Sequence, residues 1–497
     1  MIRLAGCLVL LMVAVAAQEA AEPPASASSV ASEISDISLD PAQCYRVRDL
    51  PLVREDLKIY LNDGYLMLAK PVRGKTVAAV FTSEVENGDA ELLLMVPSRS
   101  ERASIARFTK TPNLNEHFRA AVFIFTDDTG EELRRLTSEL KPMPELGAAL
   151  GPTWEPVTRN LARSFGIRLV QDIFDKTPSQ DGFFFGAISG RDLGNFDLMF
   201  EPRARDQILV GQVVDRDNRT FFDVWTSFRA RSWRAGRRKS ESTRAKLSDF
   251  QIDVTLDSNL RVLASTKVKL VPATSTRMIA FDLSRRMSIK RATINGKPAE
   301  CFSRDALRSS LIRATDNNYF LLVNEVPFEP GKSYDLTFEH EGDVVSPAGN
   351  GVFFVGARGD WYPNRAGDFA NYDLTFRHPK DLKLVSVGEV VDDRIEGESR
   401  IVRLKTSSPI RFAGFNLGDY EKASGSAPGI SVDVYANRKL ETALQPRRPE
   451  MVVPQMPSMR NRRPPDLQPQ LPMTMLPDPK TRLRELVTEI SGAAGYF

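Results

Sequence analysis

Between Phe250 and Tyr420 the chain is written in short runs that alternate apolar and polar residues, separated by turn residues. This period of two restricts its fold more than any other feature, because it throws successive side chains to opposite faces of an extended strand. FQIDVTLDSN, RVLASTKVKLVPA, NYFLLVNEVPF, KSYDLTFEH, YDLTFRHP, KLVSVGEVV, SRIVRLKTS and IRFAGFNLGDY all read this way, each with one buried and one wet face. Asn295-Gly296 predicts a tight hairpin among them. No βαβ alternation occurs, which excludes a parallel nucleotide-binding sheet. Residues 247–440 are therefore expected to form a twisted, mostly antiparallel sheet or sandwich domain.

A second β-rich block is predicted over residues 44–240. Its strands are LKIYL, YLMLA, TVAAVFTS, ELLLMVP and AAVFIFTDD, then GFFFGAIS, FDLMFEP, QILVGQVVD and FFDVWTSF, with Asp63-Gly64 as a hairpin turn. Thr153 to Asp175 reads as a helix opened by Pro152, with Val157, Leu161, Phe165, Ile167 and Val170 at helical spacing. The fold class is thus mainly β with a few helices, in two tandem β-rich domains.

The flanks differ. Leu4 to Ala17 is an apolar run behind Arg3, of a length that suits a signal peptide over residues 1–17 and an exported, periplasmic or extracellular protein; an uncleaved anchor is the alternative. No later run approaches membrane-spanning length, so no transmembrane segment is expected in the mature chain. Residues 18–43 are small and polar and read as a flexible linker. Residues 445–480 are rich in Pro, Met, Arg and Gln and read as a second linker. Residues 481–497 start a helix through Leu483, Leu486, Val487 and Ile490.

Much chemistry is excluded. Among 497 residues, Lys+Arg minus Asp+Glu is 67 − 64 = +3, so no global excess of charge argues for nucleic acid. Arg229, Arg231, Arg234, Arg237, Arg238 and Lys239, interleaved with Phe228 and Trp233, could suit a polyanion, but a charged strand edge running into a linker is the favoured reading. A zinc-protease helix needs H-E-x-x-H; His340-Glu341 begins one, but Val344 stands at the second histidine's place, and neither His117 nor His378 has a local partner. Gly74-Lys75-Thr76 and Gly331-Lys332-Ser333 lack the upstream glycine of a phosphate loop. Cys44 and Cys301 allow either a disulfide or two buried thiols. No catalytic, cofactor or metal residue is nominated.

Three segments carry a resemblance. NEVPFEPGKSYDLTFEHEGDV has an apolar strand, Pro-Phe, then Gly-x-x-Tyr-x-Leu and an acidic-Gly ending. DWYPNRAGDFANYDLTFRHPKDLKLVSVGE has an aromatic-Pro segment, a strand, a Pro-Lys turn and a Ser-x-Gly turn; KTSSPIRFAGFNLGDYE is a closing strand. In this order they resemble the N-terminal β domain of the aminopeptidase-N family of gluzincin zinc metallopeptidases, with Asn364 standing where common members carry Cys. The resemblance implies an exported peptidase-like parent with a peptide substrate. Its zinc helix would lie downstream of this chain, leaving these residues non-catalytic, with Trp361 and Tyr362 as candidates to face a neighbouring domain or, alternatively, to pack in the core. A stand-alone exported binding or scaffold protein for peptide or cell-wall ligands is the other expectation.

Overall fold

A computed structural model describes residues 26–84, 88–217, 219–238, 245–303, 318–356, 359–365, 368–437 and 479–495. The leader at 1–17, Lys239 and the Pro-rich residues 445–478 lie outside the described residues. The chain is mainly β and forms two compact units: residues 1–52, 59–92 and 116–195, and residues 53–58, 93–115 and 196–497. Among the described residues no helix is long and apolar enough to cross a membrane.

The first unit is built on strands β1 (Leu39–Arg54), β2 (Leu57–Ala69), β3 (Ala78–Thr82), β5 (Leu114–Phe125) and β6 (Phe184–Gly190), hydrogen-bonded in that order, with β4 (Asp89–Leu94) against β2 and β5. Asp63-Gly64 is not a turn: β2 runs straight through it. The glycine serves close approach instead, since a Cβ on Gly64 would stand 2.6 Å from the Phe81 ring and 2.7 Å from the Thr82 carbonyl oxygen. The supposed linker is likewise structured from Ser26 onward. Helix α1 (Ala27–Ser35) is capped by the Ser26 hydroxyl, which accepts from Ser29 N at 3.1 Å, and it buries Ala27, Val30, Ala31 and Ile34 as one stripe against the later helices.

Those later helices also depart from expectation. Instead of one helix from Thr153, the chain forms α3 (Thr129–Thr137), α4 (Pro144–Ser164) and α5 (Gly166–Phe174), and Pro152 and Pro156 lie inside α4. Both prolines are exposed, so water can reach the carbonyls they leave without a donor. In α5 the buried Asp172 receives Arg168 and, at 2.5 Å, the Thr126 hydroxyl, whose oxygen accepts from Phe183 N at 3.1 Å. Burying a charge pair is tolerable only with that completeness of bonding.

The second unit contains α2 (Arg99–Thr109), the antiparallel strands β7 (Asn195–Phe200), β8 (Ile208–Arg216) and β9 (Arg219–Phe228), and the short α6 (Arg231–Arg234). Its larger part is an eight-stranded sheet. The strands are β10 (Ala245–Leu256), β11 (Val262–Pro272), β13 (Met287–Ile294), β14 (Lys297–Pro298), β17 (Tyr334–Gly342), β20 (Tyr372–Pro379), β22 (Glu389–Glu396) and β23 (Ser399–Lys405), in the order β14-β13-β17-β11-β10-β20-β23-β22. Only β10 and β20 are parallel neighbours; the other pairings with a defined register are antiparallel. Asn295 and Gly296 take φ of 51° and 79° and close β13 onto β14, the turn that the dipeptide predicts.

Two smaller sheets share a core with the inner face. One is β12 (Thr276–Leu283), β16 (Asn318–Phe328) and β15 (Glu300–Ser303), whose Phe281 and Phe320 meet Phe338 of β17 at 5.2 and 5.7 Å. The other is β18 (Val345–Gly349), β19 (Val352–Val355), β24 (Phe415–Gly418) and β21 (Lys383–Ser386), whose Phe415 meets Phe376 of β20 at 5.1 Å. The expected sandwich is therefore formed by one wide sheet and two narrow ones. A hairpin of β25 (Tyr420–Ala427) and β26 (Ile430–Asn437) follows, and α7 (Pro479–Ala494) docks on it through Leu483 and Val487, approaching closest over Gly425.

Replacing Gly64 by valine should overpack β2 against Phe81 and lower stability by about 1–3 kcal/mol in urea unfolding. If Gly64→Val unfolds at the parent's urea midpoint, the close-approach assignment is wrong.

Candidate functional site

The outer face of the eight-stranded sheet is a lattice of paired charges. Asp373 is held by Arg403 at 2.7 Å and Lys405 at 3.2 Å, Glu396 by Arg394 at 2.9 Å and Arg377 at 3.2 Å, and Glu341 by Arg261 and Lys290. Hydrogen bonds from these cations hold the Asp373, Glu396 and Glu341 carboxyls below their ordinary range.

Within this lattice lies a groove of about 450 Å³, lined on its outer side by Asp253 and Thr255 of β10, Leu263 and Ser265 of β11, Thr375 and Arg377 of β20, Arg394 of β22 and Ile401 of β23. Alternation puts these side chains on the wet face; yet Ile401 is only 4% exposed, while Leu263 is 42% exposed. The groove thus pairs an apolar floor with three hydroxyls, one acid and two arginines, both arginines engaged by Glu396. Asp253 acts through space on Arg403, helping to raise its pKa, and makes no close ion pair on this face among the described residues. Such a surface can bind by hydrogen bonding and apolar contact.

The three histidines are accounted for separately. His117 is exposed on β5 with Nδ1 at 2.8 Å from Asp89, which also meets Arg191. His340 is buried on the inner face, its Nε2 at 2.9 Å from the Thr266 hydroxyl and its Nδ1 without a partner among the described residues. His378 is buried with Nδ1 donating to the Pro379 carbonyl at 2.9 Å and Nε2 likewise without a partner among the described residues. Burial lowers the pKa of both, His340 to about 3. His340-Glu341 lies on a strand, so its two side chains take opposite faces, one in the core and one in the ion lattice.

The remaining candidates are structural. Trp361 and Tyr362, considered as a domain-facing pair, are both fully buried in the unit's own core. Trp361 Nε1 donates to the Ala413 carbonyl at 2.7 Å, and the Tyr362 and Tyr372 hydroxyls meet at 2.9 Å. Asn364 ties the same segment down by donating to the Tyr362 carbonyl at 3.0 Å. Arg231 and Arg234 of the basic stretch converge on the buried Asp56, and Arg238 covers Trp233 at 5.0 Å. Cys44 and Cys301 are free thiols that burial pushes up to about 11 and about 12. Sequence reasoning missed the groove altogether, because its lining comes from five strands whose adjacency no local pattern encodes.

No family model matches the chain, and no curated protein matches it. Among solved structures it is similar to an M1 zinc metallopeptidase from Deinococcus radiodurans, at 12% identity and TM-score 0.33, covering 40% of this chain and 49% of that one. It is similar also to a two-domain M1 zinc metallopeptidase variant bound to L-arginine, at 11% identity and TM-score 0.33 over 40% and 50% of the two chains. A Deinococcus radiodurans variant bound to a Tyr-Ser-Ala substrate gives 12% and 0.33, over 41% and 51%. The chain spans about half the length of these neighbours. A likeness of this size does not bear on chemistry.

The buried imidazoles give a pH dependence. The folded pKa of His340 is lowered from 6.5 to about 3, so below pH 6.5 the unfolded chain takes up a proton that the folded chain refuses. Stability should fall on acidification through that window, by about 1.4 kcal/mol per pH unit from this group. Urea unfolding of His340→Gln should show a shallower loss between pH 6.5 and 4.5; an unchanged slope would remove His340 as its source.

Proposed function

We propose that this chain is the non-catalytic front portion of an exported zinc aminopeptidase-like protein, and that its second unit shapes one wall of a peptide-binding cleft. The observation that carries the reading is where the three resembling segments lie. NEVPFEPGKSYDLTFEHEGDV supplies the end of β16 and all of β17, DWYPNRAGDFANYDLTFRHPKDLKLVSVGE supplies the Trp361–Tyr362 core segment, β20 and β21, and KTSSPIRFAGFNLGDYE supplies β24. They are thus spread through the wide sheet and both of its covering layers, as parts of a single unit. Export rests on the leader read at 1–17. Zinc is assigned to the downstream domain that the resemblance implies, not to any residue named here.

The groove fits a short extended peptide whose main chain meets Thr255, Ser265 and Thr375 and whose positively charged end meets Asp253. On this reading the purified chain binds peptides weakly and hydrolyses none. Isothermal titration with a short apolar peptide bearing a free amino end should show binding that Asp253→Lys lowers by about tenfold and that N-acetylation of the peptide also weakens. Stoichiometric zinc together with aminopeptidase turnover by this chain would overturn the proposal, as would equal binding by the parent and Asp253→Lys proteins.

A second reading, a binding module that acts without a protease domain, draws on the seating of α7 upon β25 and β26. It predicts the same groove binding and the same absence of turnover, and differs in needing no downstream zinc domain.

A further inference from the structure

Among the described residues β22 ends the eight-stranded sheet and pairs on one side only, with β23. A terminal strand presents unpaired N–H and C=O groups along its free edge, a template on which another strand can build. This one also exposes Val390, Val391 and Ile395, at 60, 55 and 64%. Val390 lies opposite Leu404, a core residue of the inner face, so that face continues beyond what the two narrow sheets cover. The charges of the strand are already compensated: Asp392 and Glu396 by Arg394, Asp393 by Arg400, and Glu396 also by Arg377. A partner strand that carries uncompensated charge would gain little there; one whose charges are compensated in the same way, as a second copy's are, gains the open ladder and cover for the apolar side chains.

We propose that the occupant of this edge is a second copy of the chain, joined β22 to β22 in antiparallel register about a two-fold axis at Asp393. Such an interface is isologous, so each opposed pair occurs twice. With the axis on Asp393, Asp392 faces the partner's Arg394 and Val391 faces the partner's Ile395, pairing opposite charge with opposite charge and apolar with apolar, while Val390, beside the bulge, meets the partner's Glu396. Moving the axis onto Asp392 opposes the two Asp392 carboxylates and sets Val391 against the partner's Asp393 and Val390 against the partner's Arg394. Moving it onto Arg394 opposes the two arginines and sets Asp392 against the partner's Glu396. Two Asp393 carboxylates meet at the chosen axis, each neutralised within its own copy by Arg400 at 2.5 Å. The bulge between Val390 and Asp392 limits the ladder at its start, so the association is short and concentration-dependent.

Sedimentation velocity on the full chain over a wide concentration range should show a reversible monomer–dimer equilibrium. Asp392→Arg and Arg394→Asp should each shift it to monomer, because each opposes like charges twice, and the double substitution should restore the dimer by reversing both pairs. Oxidised Asp393→Cys protein should form a disulfide-linked dimer, since directly opposed residues in an antiparallel pair lie within bridging distance. Far-UV circular dichroism identical to the parent keeps these variants interpretable. A parent that stays monomeric at every concentration overturns the proposal. So does a dimer indifferent to Asp392→Arg, a double variant that stays monomeric, or a cysteine that does not cross-link. Protection from exchange, in a strictly monomeric sample, of those 389–396 amides that point away from β23 would mean that something other than a second copy covers the edge, and would overturn it as well.

Discussion

The second unit depends on the seam where β10 and β20 lie parallel, Phe250 against Tyr372 through Thr255 against Arg377. Parallel neighbours cannot be closed by a hairpin, so the chain between them must leave the sheet and return. The intervening chain builds β11, β13, β14 and β17 on one flank of the same sheet and leaves it as β12, β15, β16, β18 and β19 of the covering layers. The seam is anchored by stacked Phe250 and Tyr372 rings, 5.0 Å apart, and by the buried Tyr362–Tyr372 hydroxyl pair. Both phenols are pushed up by burial and stay neutral, so they bond without placing a charge in the core.

From the seam outward, alternation sorts the residues. Inner positions carry Ile252, Val254, Phe338, Leu374 and Phe376; outer positions carry acids and bases that meet across neighbouring strands. Exposed ion pairs of this kind each contribute little to stability. Their consequence here is spatial: long side chains bridging β20, β22 and β23 wall in Ile401 and turn one stretch of an otherwise flat surface into a groove. Site and scaffold are therefore products of one pattern, since the residues that solvate the sheet also shape its concavity.

How far this was legible in the sequence can be judged from matched cases. Asn295-Gly296 and Asp63-Gly64 carry the same local signal, and only the first is a turn. At Gly64 the ring of Phe81 needs the space, a demand from a neighbouring strand that no dipeptide records. Helix α1 went unseen because its buried stripe includes two alanines within a segment otherwise rich in serine, a composition shared with linkers. Helix α2 did carry a readable mark, the capping box of Ser98 and Glu101. For the basic stretch a polyanion site stood as the alternative to a charged strand edge, because Asp56, the buried partner of Arg231 and Arg234, stands far away in the chain.

What the sequence settled alone was what periodicity and composition can settle: a mainly β chain, strands with one wet face, and imidazoles too few and too scattered for a local metal motif. These follow from backbone geometry, which repeats every two residues in any strand and asks nothing of distant neighbours. Tertiary structure alone decided which strands became neighbours. With that it decided that Trp361 and Tyr362 belong to the core, that His340 and Glu341 part to opposite faces, and that side chains from five strands share a groove. Those outcomes depend on packing between segments far apart in the chain, where shape and burial overrule local preference.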